Sequence, residues 1–348
     1  MSDRYLLNCW YQAGFSEEIV EAPLARTLLD IPVVFYRADG RVTALEDRCP
    51  HRFAPLSMGA VRNGQIVCGY HGLAFGADGH CRLNPHGRIT PAMKVRAFPV
   101  IERHTIVWIW MGNADEADPG LIPDLGFIDQ TPETARIRFH IPTLANYRLV
   151  TDNLMDLSHA DYLHPTSLGG VMTGAQARTQ LRDGTVISEW IKADCLAPAR
   201  FHARVPPPQR ADAWTEATWR APAVMVIATA LVPAGAGRGD EDVVRALHSM
   251  TPETATTTHY FVCGTRGDRL DDADYSERLR GMLEHAFVHE DKPMLEAQQS
   301  RLGASAFETR RPVLLAVDAG AMQVRRQLDR RIADEQDAFA AASCLPVA

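Results

Sequence analysis

The chain of 348 residues, 46% hydrophobic and 23% charged, has an ordinary globular composition and is too long for one small core, which favours two domains. Its formal net charge of −7 argues against nucleic acid or an anionic membrane as the main partner. Residues 1–5 lack the features of a signal peptide, and no run of about 18 apolar residues predicts a membrane span. We therefore expect a cytoplasmic protein without a membrane partner.

The first third of the sequence predicts an all-β domain. Short apolar runs separated by turn residues indicate strands at 33–36, 42–45, 66–68, 73–75 and 106–110. The first two flank Asp39-Gly40 and predict a hairpin. Many short strands with turns between them are typical of a small sandwich or barrel.

The rest of the sequence predicts strands followed by helices. Residues 113–123 are acidic and contain proline and glycine, which predicts a boundary at about residue 118 and domains 1–118 and 119–348. A helix is expected at 152–164, where the residue before Pro165 disfavours the α conformation. Strands are expected at 185–193, 214–231, 243–250 and 256–264, and long helices at 275–302, with a break at Lys292-Pro293, and at 322–342. This order indicates an α+β fold with an antiparallel sheet flanked by helices.

Cysteine and histidine alternate within the predicted β domain. One residue separates Cys49 from His51, and two residues separate Cys68 from His71. A [2Fe–2S] cluster of the Rieske type takes two thiolates on one iron and two imidazoles on the other. A structural zinc site uses the same ligand types, but zinc fingers pair the cysteines together and the histidines together. The alternation therefore predicts the cluster.

A second group of metal ligands is predicted beyond the boundary. His159 and His164 are five residues apart, which on an ideal helix is about 140°, so the helix must distort or end between them. Two imidazoles and one carboxylate form the facial triad of non-haem iron oxygenases. For the carboxylate we favour Asp291, because Glu290 beside it would point about 100° away. A histidine pair alone is a weak signal, but a one-electron centre upstream needs a site that receives its electrons.

The sequence resembles the Rieske non-haem iron oxygenases along nearly its whole length. The matching motifs are Asn8-Cys9-Trp10-Tyr11, Cys49-Pro50-His51-Arg52, Ala54-Pro55-Leu56-Ser57, Cys68-Gly69-Tyr70-His71-Gly72, Asp152-Asn153-Leu154-Met155-Asp156, Thr251-Pro252-Glu253-Thr254 and Val317-Asp318-Ala319-Gly320. Within the family it is similar to the short members of the vanillate and dicamba O-demethylase and toluenesulfonate methyl-monooxygenase type.

The resemblance implies roles for the motif residues. It implies that the cluster ligands are Cys49, His51, Cys68 and His71, and that the mononuclear Fe(II) ligands are His159, His164 and Asp291. Asp156 matches a carboxylate that bridges a cluster histidine of one subunit and an iron histidine of the next, which would orient both rings. The alternative for Asp156 is a helix-start acid on a solvated face. The family's head-to-tail trimer implies a homotrimeric ring.

The resemblance also implies an activity. A ferredoxin or reductase component passes electrons from NADH to the cluster, they cross through His71, Asp156 and His159 to the iron, and O2 is the co-substrate. We expect oxidation of a methyl or methoxy group of a small aromatic carboxylate, above all O-demethylation to a phenol and formaldehyde. The alternatives are a cis-dihydroxylating ring dioxygenase of an aromatic acid, against which the short chain speaks, and a pure electron carrier without the second iron.

Two residues are candidate substrate contacts. His248 lies on a predicted strand where the dicamba branch has a histidine, and could hydrogen-bond a substrate carboxylate; a satisfied strand histidine is the alternative. Met282 falls where that branch has a tryptophan in the pocket wall, so dicamba itself is not expected as the substrate. His285 and His289, four residues apart, could imitate a metal pair, but a surface or interface position is favoured.

Overall fold

The computed structural model describes residues 4–202, 204–303, 310 and 312–343. The chain divides into two compact units, Met1–Asp124 with Thr251–Ala255 and Leu125–Met250 with Thr256–Ala348. An all-β first part followed by an α+β second part confirms the expected fold class. Among the described residues, no helix combines the length and the apolar character that crossing a membrane requires.

The first unit is built on three sheets of short strands. Its strands are β1 Trp10–Phe15, β2 Leu24–Leu28, β3 Ile31–Ala38, β4 Arg41–Glu46, β5 Ala60–Arg62, β6 Gln65–Val67, β7 Ala74–Phe75, β8 Cys81–Leu83, β9 Ala97–Phe98, β10 Val100–Arg103 and β11 Ile106–Trp110. They form the sheets β1-β11-β10, β2-β3-β4-β9 and β5-β6-β7-β8. The expected hairpin is β3–β4, and its turn residues Asp39 and Gly40 both have positive φ, 50° and 77°, as a tight two-residue hairpin requires.

A small apolar core lies under the β5–β8 sheet. Its fully buried side chains include Tyr36, Ile66 and Phe75, and Cys49 and Cys68 pack in the same apolar core. The two cysteines of the alternating pattern are therefore anchored in this core.

One seven-stranded sheet dominates the second unit. Its strands are β12 Arg136–Thr143, β13 Gln176–Arg182, β14 Thr185–Leu196, β15 Arg210–Arg220, β16 Val224–Pro233, β17 Val244–Thr254 and β18 Thr257–Thr265. Their order is β12-β18-β17-β16-β15-β14-β13. The single strand expected at 214–231 is wrong: Pro222 lies in a turn between β15 and β16, which pair antiparallel. Strand β15 alternates buried and partly exposed residues, the pattern of a strand with one face on the core.

Helices complete the second unit. They are α1 Gly126–Gln130, α2 Tyr147–Met155, α3 Ala160–Leu163, α4 Ala273–Glu284, α5 Lys292–Leu302 and α6 Ala319–Ser343, with a π-helical segment at His285–Asp291 between α4 and α5. Helix α2 contacts α5 and α6, and the ion pair between Arg148 and Asp329, at 2.6 Å, ties α2 to α6.

Two helix predictions need correction. The continuous helix expected at 152–164 is wrong, because α2 ends at Met155 and Asp156 adopts an extended conformation (φ −114°, ψ 94°) before a short 3-10 turn and α3. The break expected at Lys292-Pro293 is replaced by the π-helical segment, and Pro293 lies in the first turn of α5, where proline is tolerated.

Candidate metal centres

Two loops of the first unit carry the alternating cysteines and histidines. In each loop a backbone N–H returns to the carbonyl of the cysteine: Phe53 donates to Cys49 at 2.8 Å, and Gly72 donates to Cys68 at 3.0 Å. Both donors have positive φ, 59° at Phe53 and 75° at Gly72, which gives each loop a tight turn. The two loops therefore fold in the same way around their ligands.

The thiols of these loops are buried and the imidazoles lie nearer the surface. Cys49 and Cys68 are 1% and 2% exposed, while His51 is exposed and its ring centroid lies 4.4 Å from that of His71. Burial raises the pKa of the Cys49 thiol to about 11, although backbone N–H groups of His51 and Arg52 directed at it lower that pKa. Two thiols, two neighbouring imidazoles and N–H groups aimed at sulfur are the donors that a Rieske cluster needs, so the residues fit this group.

In the second unit, the break after α2 sets the direction of His159. The Asp156 carboxylate oxygen Oδ1 accepts a hydrogen bond from the backbone N–H of Ser158 at 2.9 Å, which starts the next turn. The ring nitrogen Nδ1 of His159 donates to the backbone carbonyl of Asp156 at 2.5 Å. This bond fixes the proton on Nδ1 and leaves Nε2 free for other contacts. The interruption that the five-residue spacing required is thus the feature that orients the first histidine.

Three potential ligands meet in the second unit. His159, His164 and Asp291 each offer one ligand atom, and these atoms lie within 4.8 Å of one another. The carboxylate oxygen Oδ1 of Asp291 is 3.1 Å from Nε2 of His164 and 3.6 Å from Nε2 of His159. Asp291 and His164 are buried, at 4% and 1% exposure. Two imidazoles and one carboxylate at this spacing are the donors of a 2-His-1-carboxylate site, so this donor set fits a divalent iron.

The π-helical segment places two neighbouring carboxylates on opposite sides of the His164 ring. Asp291 faces Nε2, while the Glu290 oxygen Oε2 accepts a hydrogen bond from Nδ1 at 2.8 Å. Burial lowers the pKa of His164, but the two carboxylates outweigh burial and the pKa is raised overall. Glu290 also accepts a hydrogen bond from the hydroxyl of Ser167 at 2.6 Å. The sequence indicated Glu290 only as an alternative to Asp291 as a ligand and gave no signal for its contact with His164.

Asn153 is a further site residue that the sequence reasoning did not single out. Its side-chain amide donates to Oδ1 of Asp291 at 3.1 Å and lies 3.4 Å from Nε2 of His159. It stands six residues before His159 on α2, and only its place in the motif of 152–156 could have indicated it. The amide helps to hold the Asp291 carboxylate in one orientation.

A buried histidine lies among aromatic rings near the triad. His248 on β17 is 2% exposed, and its Nδ1 is 2.7 Å from the hydroxyl of Tyr260 on β18. The Phe287 ring stands edge-on to it, with centroids 5.6 Å apart. Burial lowers the pKa of His248 to about 3, so the ring is neutral near pH 7. Burial, reinforced by the charge of Asp291, raises the pKa of Tyr260 well above its ordinary value.

The tautomer of His248 depends on how many polar groups each choice leaves without a hydrogen-bond partner. If the Tyr260 hydroxyl donates to Nδ1, the ring proton is on Nε2 and only that N–H lacks a partner. If Nδ1 donates instead, both the hydroxyl proton and the Nε2 lone pair lack one, at a higher cost in a buried place. In the described part of the chain Nε2 makes no hydrogen bond. The pair of His248 and Tyr260 therefore presents one buried donor, the N–H at Nε2 of His248.

The remaining candidate residues are Met282, His285 and His289. Met282 is half-buried on α4. The side chain of His285 is 58% exposed, with Nε2 at 3.6 Å from Glu290, and its ring centroid is 5.7 Å from that of His289. These two histidines are exposed on the π-helical segment, and in the described residues they belong to no group of three potential metal ligands.

Comparisons with known proteins point to one family. The Rieske [2Fe-2S] domain matches residues 9–99, and the vanillate O-demethylase oxygenase C-terminal domain matches residues 144–334. The oxygenase component of dicamba O-demethylase from Stenotrophomonas maltophilia is 39% identical over 94% of this chain and 97% of its own. The vanillate O-demethylase oxygenase subunit of a Pseudomonas species, strain HR199, is 36% identical over 96% of this chain and 97% of its own. The crystal structure of dicamba monooxygenase bound to 3,6-dichlorosalicylic acid has a TM-score of 0.88 and 35% identity, and covers 95% of this chain and 99% of that one.

Proposed function

Because this chain belongs to the Rieske non-haem iron oxygenases, as an oxygenase component with a [2Fe–2S] cluster and a mononuclear iron, we propose that it oxidises a methyl or methoxy group of a small aromatic carboxylate. O-demethylation to a phenol and formaldehyde is the reaction we favour. Electrons come from NADH through a ferredoxin or reductase component, as the multicomponent systems of its relatives imply. The observation that carries the proposal is the close approach of His159, His164 and Asp291.

We assign the metal ligands by the donors and their surroundings. Cys49, Cys68, His51 and His71 are proposed to hold the cluster, and His159, His164 and Asp291 the iron. When bound, the cluster supplies single electrons and the iron supplies the activation of O2. The chain's own part is to hold the donors: Asn153 fixes the Asp291 carboxylate, and the Asp156 carbonyl fixes His159. The proposed functional division is residues 1–118 for the cluster and 119–348 for the iron.

For Asp156 we propose a role between subunits. Its Oδ1 is bonded to Ser158, whereas Oδ2 makes no hydrogen bond in the part of the chain that the structure describes. An oxygen that is left over on a partly exposed carboxylate can accept from an imidazole of another copy. This supports a head-to-tail homotrimer in which Asp156 links the cluster ligand His71 of one subunit to His159 of the next. We place this assembly in the cytoplasm.

The buried donor of His248 supports the proposed substrate class. The N–H at Nε2 of His248 is proposed to bind an acceptor of the substrate, of which a carboxylate is the strongest. The ring centroid of Phe287 lies 6.1 Å from that of Phe139 and 6.1 Å from that of Tyr260, and these three side chains suit an aromatic ring by edge-to-face contact. Met282 is a proposed contributor to the pocket wall. The ring-dihydroxylating alternative is not favoured, because the relatives are O-demethylase and monooxygenase components.

The experiment is a turnover assay with a reductase, NADH and O2 on matched pairs of methoxybenzenes with and without a carboxylate. We expect formaldehyde and a phenol from the carboxylates. The His248→Phe variant should lose the preference for the carboxylate, and the surface variant His289→Ala should keep it. A panel that gives diols, or no oxidation of any methyl group, would overturn the proposal. An Asp291→Ala variant that still releases formaldehyde would overturn the ligand assignment.

A further inference from the structure

We propose that Glu290 is a positioning residue for His164: its carboxylate orients the imidazole and makes it a stronger ligand for the iron. The inference rests on the proposed iron site and extends it to a residue that does not touch the metal. Glu290 and Asp291 are neighbours in sequence, yet each is assigned a different task by the ring nitrogen that it faces.

The contacts of Glu290 define its role. Its Oε2 accepts from Nδ1 of His164 at 2.8 Å and from the hydroxyl of Ser167 at 2.6 Å. The His164 side chain is 1% exposed and that of Glu290 is 15% exposed, so water competes little for these bonds. Its other oxygen, Oε1, lies 3.6 Å from the exposed His285. The carboxylate is thus engaged mainly with the buried ring.

The bond to Nδ1 determines which nitrogen of His164 is left for the metal. Because a carboxylate only accepts, Nδ1 carries the proton that faces Glu290, and with iron bound, Nε2 on the Asp291 side would offer its lone pair. A carboxylate behind an imidazole also raises the basicity of the ligating nitrogen. The ring of His159 has a neutral backbone carbonyl in the same place. The two histidines therefore differ, and His164 is the more strongly supported ligand.

The second partner of Glu290 is held in place as well. The backbone carbonyls of Ser167, Leu168 and Gly169 accept hydrogen bonds from the Arg200 guanidinium at 3.3, 2.5 and 2.7 Å. The N–H of Gly169 donates to the carbonyl of His164 at 2.8 Å, which closes the loop back on the ligand. The Ser167 hydroxyl consequently meets Glu290 from a fixed backbone, and the carboxylate has little freedom to leave the ring.

The test is the Fe(II) affinity of the full, cluster-loaded chain, measured without oxygen by competition with a chelator. For Glu290→Gln we expect an affinity about 10- to 100-fold weaker, and for Ser167→Ala a smaller loss. Glu284→Gln, an exposed carboxylate at the end of α4, is the matched control and should bind as the wild type does. The absorption bands of Co(II) in the site should shift in Glu290→Gln, while the cluster spectrum and the melting temperature stay near those of the control.

Two outcomes would overturn the inference in different ways. If the wild type binds Fe(II) and Asp291→Ala does not, but Glu290→Gln binds within twofold of the wild type, the iron site stands and the positioning role fails. If Asp291→Ala binds Fe(II) as tightly as the wild type, the proposed site itself fails and the role of Glu290 fails with it.

Discussion

The acid stability of the second unit should depend on one buried imidazole. Burial lowers the pKa of His248 to about 3, against 6.5 for the ordinary side chain. Because the folded pKa is the lower one, the unfolded chain binds more protons between these values. The stability that neutral His248 contributes is therefore present above pH 6.5 and is lost as the pH falls toward 3. Each unit of pH in this window is worth about 1.4 kcal/mol, so the loss from pH 7 to pH 5 is about 2 kcal/mol.

The measurement is urea unfolding, monitored by tryptophan fluorescence, at a series of pH values from 7.5 to about 5. Between pH 7 and pH 5, the free energy of unfolding of the wild type should fall by about 2 kcal/mol more than that of His248→Phe. The exposed-site variant His289→Asn should keep the wild-type slope, since other groups titrate alike in all three proteins. If His248→Phe shows the same pH slope as the wild type, the neutral buried state of His248 is wrong, and with it the N–H donor proposed for the substrate.

Three further predictions concern the first unit and the proposed link between subunits. Phe75→Ala should lower the free energy of unfolding by about 3–5 kcal/mol, because the ring is fully buried in the core that also holds Cys49 and Cys68. The urea midpoint and the cluster absorbance measure this loss, and an unchanged midpoint would refute it. Arg37 bonds Glu102 at 2.8 Å and lowers its pKa, so the stability from this pair is present above pH 4.5 and lost below it. Glu102→Gln should lower the free energy of unfolding by at most about 1 kcal/mol at pH 7 and leave it unchanged at pH 3. The same loss at both pH values would contradict the ion pair. Asp156→Asn should slow substrate-dependent reoxidation of the cluster about 10- to 100-fold in stopped flow while iron content is unchanged; an unaltered rate would exclude the bridging role.

The features that the sequence predicted are those encoded within a few residues. The spacing of cysteine and histidine is local within each of the pairs Cys49/His51 and Cys68/His71, and each pair lies on a loop that turns tightly, with a left-handed residue at Phe53 or Gly72. The order of strands and helices also followed from apolar patterns, and the fold class is confirmed. The five-residue spacing of the histidines correctly required a break in the helix, although we expected the helix itself to continue to His164.

The features that the sequence did not predict depend on distant contacts. The apolar run that crosses Pro222 belongs to two strands, because only the pairing of β15 with β16 reveals the turn. The contact between Glu290 and His164 joins positions 126 residues apart, and it depends on a π-helical segment that has no simple sequence pattern. The Tyr260 hydroxyl meets His248 only because β17 and β18 are neighbours in the sheet.

His159, His164 and Asp291 are proposed to hold an iron separate from the cluster. Iron and acid-labile sulfide analysis of the purified wild type and of Asp291→Ala tests it directly. We expect about three irons and two sulfides per chain in the wild type, and about two irons and two sulfides in the variant, with the same cluster spectrum. Equal iron content in the two proteins would contradict the claim.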